Sequence, residues 1–206
     1  MNSPTSAQHG IGVNISALGR AWSRLWGTCV PVAGRLHAQF RRQSVRFDSL
    51  PESKRYASTD TEHAEILRRH HVLLEALLDD TPLPGDDVLL AITCSWSATS
   101  EPTARDELVA RVMPEAVHWR SDDLGIDPGY HAWQHHFVAR TTVNDPALDQ
   151  LLSLVANDGT DGVILTDRTL SWLYHPFDGG ARVITSNTGA RDSLAADHYT
   201  WLPFER

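Results

Sequence analysis

The sequence predicts a single α+β domain, built on a mixed and largely antiparallel sheet with helices packed on it. Three observations support this fold class. Helical and strand patterns alternate at irregular intervals, two apolar runs are joined by a short polar turn in the manner of a hairpin, and neither a linker nor a repeat divides the 206 residues. We expect the domain to span residues 15–206, after a polar and flexible tail at residues 1–14.

The first part of the domain is predicted to contain two helices and a strand. Apolar residues recur at helical spacing between Ile15 and Trp26. The members of this stripe are Leu18, Trp22, Leu25 and Trp26. Residues 34–43 have the pattern of a shorter helix, and the alternation at residues 45–47 predicts a strand that ends at Leu50-Pro51.

The most clearly marked helix covers residues 60–79. Thr59 and Glu62 have the spacing of a capping box, in which a hydroxyl and a carboxylate each satisfy a free backbone N–H. The next apolar run, residues 87–94, is short and bounded by turn residues, so it predicts a central strand that is covered on both faces.

The remaining elements are shorter and follow one another closely. They are a helix at 104–112, strands at 116–121 and 130–141, a helix that begins at Asn144-Asp145-Pro146, a hairpin of strands 163–165 and 170–175, a strand at 181–185 and a helix at 189–201. Aromatic and β-branched residues favour the extended form for residues 130–141.

Composition excludes several classes of protein. With 41% hydrophobic and 21% charged residues, the chain has the composition of a globular domain. No run of about 18 apolar residues is present, and the start lacks the pattern of a secretory signal, so we expect neither a membrane partner nor export. Cys29 and Cys94 lie far apart in the sequence, which favours reduced thiols and a cytoplasmic location.

The net charge of −8 is distributed unevenly along the chain. Residues 1–56 carry eight basic and two acidic side chains, whereas residues 57–206 carry 10 basic and 24 acidic ones. We expect the basic segment to pack against the acidic remainder or to be solvated, and we expect the partner to be a basic protein. The least favoured alternative is RNA binding through Arg35, Arg41, Arg42 and Arg46, so nucleic acid is not expected.

Three stretches of the chain resemble a bacterial family of domains of unknown function. They are residues 45–56, 93–97 and 174–184, and residues 192–201 extend the similarity. Members of that family pair an N-terminal strand carrying Arg-Phe and a following Leu with a C-terminal Y-x-x-[YF]-D-x-G turn, a strand, and a helix that ends in Trp-Leu. The resemblance covers residues 22–202. It implies one intact domain in a bacterial cytoplasm, with no established activity.

Sequence signatures of catalysis are missing. There is no G-x-S-x-G elbow and no glycine-rich loop that would hold a phosphate. Among the 11 histidines, His131 and His135 are the candidate metal ligands. On a strand, however, these two imidazoles would lie about 13 Å apart and could not bind one ion. We therefore expect no metal and no other cofactor, with His135, His136 and Gln134 facing water.

Two further polar groups are interpreted as structural. Asp122, Asp123 and Asp127 could bind a cation through oxygen ligands, but their spacing favours an ordinary solvated loop. The pair His70-His71 lies at the edge of the apolar stripe of its helix, where a hydrogen-bonded boundary histidine is favoured over a general base.

Two groups of residues are candidates for a recognition surface. Trp96 lies at the C-terminal end of a predicted central strand, where an aromatic side chain can anchor a partner. The second group belongs to one turn and consists of Tyr174, His175, Asp178, Gly179 and Gly180. Asp178 is predicted to cap a turn whose glycines take positive φ, which is compatible with exposed backbone beside Tyr174 and His175.

The preferred interpretation is a non-catalytic protein-binding domain with an acidic face, acting as an immunity or regulatory partner of a basic protein. The alternative is a small metal-dependent or histidine-using hydrolase based on His131, His135, His175 or Asp178. No residue is assigned a catalytic role.

Overall fold

A computed structural model describes residues 12–81, 83, 87–125 and 132–203 of the chain. These residues form a seven-stranded sheet with helices packed against it, which confirms the predicted α+β class. Positions 1–11 of the predicted tail lie outside the described residues. Asn14, at the end of that tail, caps the first helix, because its side chain accepts a hydrogen bond from the backbone N–H of Ala17.

The described ranges contain six helices and seven strands. The helices are α1 (Ile15–Trp26), α2 (Ala33–Gln39), α3 (Asp60–Asp79), α4 (Glu107–Val112), α5 (Pro146–Ala156) and α6 (Thr188–Asp197). The strands are β1 (Ser44–Asp48), β2 (Val88–Ser97), β3 (Val117–Asp123), β4 (Trp133–Thr142), β5 (Ile164–Asp167), β6 (Leu173–Phe177) and β7 (Gly180–Ile184). Within these ranges, none of the helices combines the length and the apolar composition that crossing a bilayer requires.

The strands lie in the order β1-β7-β6-β5-β2-β4-β3, and every pairing is antiparallel. Short connections produce the neighbouring pairs β5–β6 and β6–β7. The first strand returns to the far edge, beside β7. As a result, the N-terminal and C-terminal stretches of the chain meet along one edge of the sheet.

Apolar side chains on both faces of the sheet explain the nearly unbroken apolar run in β2. On one face, Leu89 and Ala91 join a core supplied mainly by α3 and α5. On the other face, Leu90 and Ile92 pack in a second core with α1 and α2. Because successive strand residues point to opposite faces, a strand covered on both sides needs apolar residues at every position.

Three predicted features differ in detail. The strand predicted at residues 87–94 continues to Ser97, since its last polar side chains find partners; Ser95, for example, donates to the carbonyl of Thr103. The helix predicted at 34–43 ends at Gln39. Leu25 was assigned to the buried stripe of α1 but is 45% exposed, because Trp22 and Trp26 already fill the contact with the sheet.

Candidate functional site

The loop at residues 157–162, between α5 and β5, brings together residues that are distant in the sequence. Asp158 and Gly162 have positive φ, of 58° and 72°. A Cβ built on Gly162 would lie 2.6 Å from Sγ of Cys94 and 3.5 Å from Cζ2 of Trp96. The loop can lie this close to the end of β2 only with glycine at that position.

Trp96 is the exposed aromatic side chain beside this loop. Its residue surface is 49% exposed, whereas the preceding residues of β2, from Leu89 to Ser95, are buried. Trp96 pairs with Gln134 of β4, so its backbone is held in the ladder of a central strand. An aromatic ring held in this way can bind a partner with little further loss of conformational entropy.

Asp161 is the loop residue before Gly162, and its backbone carbonyl accepts a hydrogen bond from Sγ of Cys94 at 3.4 Å. Its side chain is 78% exposed, and its Oδ1 lies 4.0 Å from Nε2 of His175. Burial lowers the pKa of His175 to about 4, although Asp161 partly opposes this effect. His175 is therefore neutral near pH 7, and the carboxylate of Asp161 presents its charge to solvent rather than to an imidazolium.

The same loop approaches the turn at Asp178. Oδ2 of Asp178 accepts a hydrogen bond from the hydroxyl of Tyr56 at 2.8 Å and forms an ion pair of 2.5 Å with Arg55. Burial raises the pKa of Asp178, but the hydrogen bonds from Arg55 and Tyr56 outweigh it, so the pKa lies below its usual value. Asp178 thus holds the segment before α3 against the turn, and of the two glycines expected to take positive φ only Gly180 does so.

We define the Trp96 surface as Trp96, Asp161, Asp158 and Tyr56. Tyr56 is 45% exposed, and Asp158 interacts electrostatically with it. The Trp96 surface therefore comprises two exposed aromatic residues and two exposed acidic residues of one loop. The neighbouring cation, Arg55, forms its ion pair with Asp178 and also interacts electrostatically with Asp158 of the loop.

Tyr174 does not belong to this surface. Its side chain is fully buried, and its hydroxyl lies 2.6 Å from Nδ1 of His70 in α3. Tyr174 and His175 are successive strand residues and point to opposite faces of the sheet, so they cannot line one recognition surface. The structure therefore corrects the grouping of the two residues: Tyr174 is part of the core.

The glycines of the turn are also buried, and at least one is required by backbone packing. A Cβ built on Gly180, where φ is 156°, would lie only 2.0 Å from the carbonyl oxygen of Phe47 in β1. The carbonyl of Gly179 accepts a hydrogen bond from the backbone N–H of Ser49. Both glycines therefore join β7 to β1 and offer no exposed backbone to a partner.

The predicted metal site is only partly described, because His131 lies outside the described residues. His135 lies on β4, which is extended from Trp133 to Thr142 as predicted. The expectation that Gln134, His135 and His136 face water is wrong: all three are buried, because β4 lies between β2 and β3 and is covered on both faces. No set of three or more potential ligands in the described part of the chain could hold a metal ion.

His135 instead belongs to a chain of hydrogen bonds that the sequence pattern did not reveal. Its Nε2 lies 2.8 Å from Oγ of Ser97, and its Nδ1 lies 2.7 Å from Oγ of Ser121. Ser121 in turn lies 3.0 Å from Nε2 of His118. Strand register places these residues side by side, and register cannot be read from residue spacing along one strand.

The other polar groups are largely structural, but the expectation of a solvated loop is wrong for Asp122, which is buried within β3. Asp122 forms an ion pair with Arg120 and lies 3.4 Å from Nε2 of the buried His136, whereas Asp127 lies outside the described residues. His70 and His71 are both hydrogen-bonded, the second to Asp149 at 2.6 Å. Hydrogen-bonded boundary histidines were expected here.

Several basic residues of the N-terminal segment pair within the domain. Lys54 forms an ion pair with Glu62 of α3, at 2.5 Å. Of the four arginines considered for RNA, Arg35 donates to the carbonyl of Leu124 and Arg46 to Asp48. Arg41 and Arg42 are exposed.

A family model described as a domain of unknown function (DUF3885) matches residues 32–204. The comparisons with curated proteins and with solved structures gave no match to this sequence.

Proposed function

The chain belongs to the DUF3885 family, and for this member we propose a non-catalytic role: it binds a basic protein through an acidic face and acts as an immunity or regulatory partner. We further propose that it does so in a bacterial cytoplasm. Support for that location comes from Cys29 and Cys94, which are both free thiols.

The observation that carries the proposal is the exposure of Trp96 beside the loop that presents the exposed residues Asp158 and Asp161. A half-exposed indole gains free energy when a partner covers it, and an indole face attracts a lysine or arginine side chain by about 0.5–2 kcal/mol. The carboxylates of Asp158 and Asp161 would attract the same cation. Trp96, Asp161 and Asp158 therefore provide both the apolar contact and the charge that recognition of a basic residue requires.

The Trp96 surface also fits the energetics of protein interfaces. Aromatic residues held on rigid elements supply most of the binding free energy in such interfaces, whereas exposed charges mainly steer the approach. We infer that Trp96 determines affinity, and that Asp158 and Asp161 determine the preference for a basic partner and its dependence on salt.

Affinity capture from the native host tests this proposal when it is made with three forms of the protein. Wild type is expected to retain one basic protein in stoichiometric amount, and Trp96→Ser is expected to lose it. Tyr199→Ser is the matched control, because Tyr199 is 70% exposed and lies after α6 on the opposite side of the sheet. Retention of the same protein by Trp96→Ser, or recovery of RNA instead of a protein, would contradict the proposal.

A second candidate, a histidine-using hydrolase, is favoured by the 2.8 Å contact between Oγ of Ser97 and Nε2 of His135. Two observations oppose it. The Ser97 hydroxyl also donates to the carbonyl of Thr99 at 2.8 Å, so its proton is directed away from the imidazole. Burial raises the pKa of the neighbouring Cys94 thiol to about 12, so this thiol is not a nucleophile at neutral pH.

An activity-based fluorophosphonate probe separates the two candidates. A nucleophilic serine paired with a histidine reacts with such a probe, whereas a hydrogen-bonded structural serine does not. We expect no labelling of the wild-type protein. Labelling of Ser97 that disappears in His135→Gln would favour the hydrolase.

A further inference from the structure

A small cavity lies between α2 and the neighbouring strands β6 and β7. It has a volume of about 210 Å³, smaller than the sites that hold drug-sized molecules. Its walls are formed by Ala33, Gly34, His37, His175, Phe177 and Arg182. No acidic side chain belongs to this lining, although the body of the protein is acidic overall.

Strand register places a row of basic side chains beside the cavity. Arg46 of β1 is directly opposite Arg182 of β7, and Arg182 is directly opposite His175 of β6. Directly paired residues of neighbouring strands point to the same face of a sheet. Two arginines and a neutral histidine therefore lie side by side across three strands, and the two guanidinium groups repel each other unless a negative charge lies close by.

The nearby carboxylates compensate this row only in part. Asp48 accepts hydrogen bonds from Arg46 at 3.1 Å and from Ser53 at 2.6 Å. Its charge therefore compensates Arg46, at the end of the row on β1, and not Arg182. Asp161 lies 4.0 Å from Nε2 of His175, with an exposed side chain that water screens. Arg182 has no ion pair with a described residue.

Two imidazoles of the cavity wall also have unused nitrogen atoms. The rings of His37 and His175 lie 5.8 Å apart between centroids, and Nδ1 of His37 lies 3.1 Å from Oγ of Ser44. Nε2 of His37 and Nδ1 of His175 are buried and have no hydrogen-bond partner among the described residues. Buried polar atoms without partners are uncommon in proteins and point to a missing ligand or water.

We propose that this cavity binds phosphate, either free or as the phosphate group of a small molecule. Phosphate oxygens would accept hydrogen bonds from the guanidinium of Arg182 and from N–H groups of His37 and His175, and their charge would relieve the repulsion along the row. A metal ion fits the cavity poorly, because the cation Arg182 would repel it.

Proton binding gives this proposal a second consequence. The pKa of both His37 and His175 is lowered to about 4, mainly by burial; His175 and Arg182 add to the shift at His37, and Arg182 adds to the shift at His175, which Asp161 partly opposes. A bound anion favours the charged form of an imidazole. Phosphate is therefore expected to raise both pKa values.

A titration with inorganic phosphate, followed by NMR signals of the histidine ring carbons in the whole chain, tests the proposal. We expect the His37 and His175 signals to shift in a saturable manner, with no comparable shift at His71 or His118. Chloride at the same ionic strength distinguishes a phosphate site from general screening: it should leave the phosphate affinity within about twofold, because buried charges are screened less by salt than exposed ones. Sulfate has the same tetrahedral set of acceptor oxygens and is expected to compete for the site.

Arg182→Gln is the decisive variant, and its exposed position makes a folding defect unexpected. Its phosphate affinity should fall about tenfold or more, as expected for the loss of a charged hydrogen bond. Arg111→Gln on α4, whose helix packs on the other face, should bind as wild type. Equal phosphate affinity of Arg182→Gln and wild type, or shifts that do not include both histidines, would overturn the proposal. Neither result depends on the binding of a protein at Trp96.

Discussion

The hydroxyl of Tyr174 lies 2.6 Å from Nδ1 of His70, and both side chains are buried between β6 and α3. This contact joins the strand that carries the turn motif to the longest helix of the domain. The contact gives Tyr174 a structural role in the core, so its presence in the turn motif needs no role in recognition. A tyrosine buried in a core normally has a partner for its hydroxyl, and here the partner is an imidazole.

Tyr174→Phe is expected to destabilise the fold. The substitution keeps the ring but removes the hydroxyl, so Nδ1 of His70 loses its partner, while Nε2 of the same ring already has none among the described residues. The free energy of unfolding should fall by about 1–3 kcal/mol in chemical denaturation. Tyr199→Phe, at an exposed site, should change it by less than about 0.5 kcal/mol. Equal effects of the two substitutions would show that the buried contact contributes nothing.

Acid should lower the free energy of unfolding at pH values well above those at which most carboxylates titrate. Burial lowers the pKa of His37, His70 and His175 from 6.5 to about 4. Between these values the unfolded chain binds protons that the folded chain does not, so the free energy of unfolding falls as pH decreases from 6.5 to 4.

The slope of that fall can be measured by denaturation at a series of pH values in phosphate-free buffer. Each of the three histidines contributes up to about 1.4 kcal/mol per pH unit. His70→Gln should remove one such contribution. A free energy of unfolding that is independent of pH over this range would contradict the burial of these rings.

Gly180→Ala is expected to disrupt the edge of the sheet. The new Cβ would lie 2.0 Å from the carbonyl oxygen of Phe47, and backbone atoms cannot move aside without breaking the β1–β7 pairing. We expect a loss of about 3 kcal/mol or more, measured by denaturation. Gly34→Ala is the control: its Cβ would meet no atom within 4 Å, and alanine in a helix is favoured over glycine by about 0.5–1 kcal/mol.

Arg182→Gln should make the phosphate-free protein slightly more stable. The substitution removes a like charge directly opposite Arg46. A gain of about 0.2–1 kcal/mol in the free energy of unfolding is expected, and it should shrink when phosphate is added. A loss of stability in phosphate-free buffer would mean that Arg182 has a favourable partner instead of a repulsive one.

Local patterns in the sequence were sufficient for the architecture. The helices begin at caps that can be read directly, such as Thr59 before α3 and Asp145 before α5, because capping depends on neighbours in the chain. The apolar run of β2 indicated a strand covered on both faces for the same local reason.

The candidate site depended on pairings that local patterns do not contain. Trp96 was identified from its position at the end of a strand, but the loop that carries Asp161 lies beside it only because β5 returns beside β2. Likewise, Tyr174 and His175 were grouped because they are adjacent in sequence, although adjacency on a strand places them on opposite faces. Register and the path of long connections, which set these contacts, are not encoded in spacing along one segment.

The most direct test of the proposed function is photo-crosslinking in the native host from position 96. A photoreactive tryptophan analogue that keeps the indole ring replaces Trp96 in one protein and Tyr199 in another, and both proteins are irradiated in cells. We predict that position 96 forms a crosslink to one basic protein and that position 199 does not. Absence of a protein crosslink at position 96, or the same crosslinked product from both positions, would contradict a binding role for the Trp96 surface.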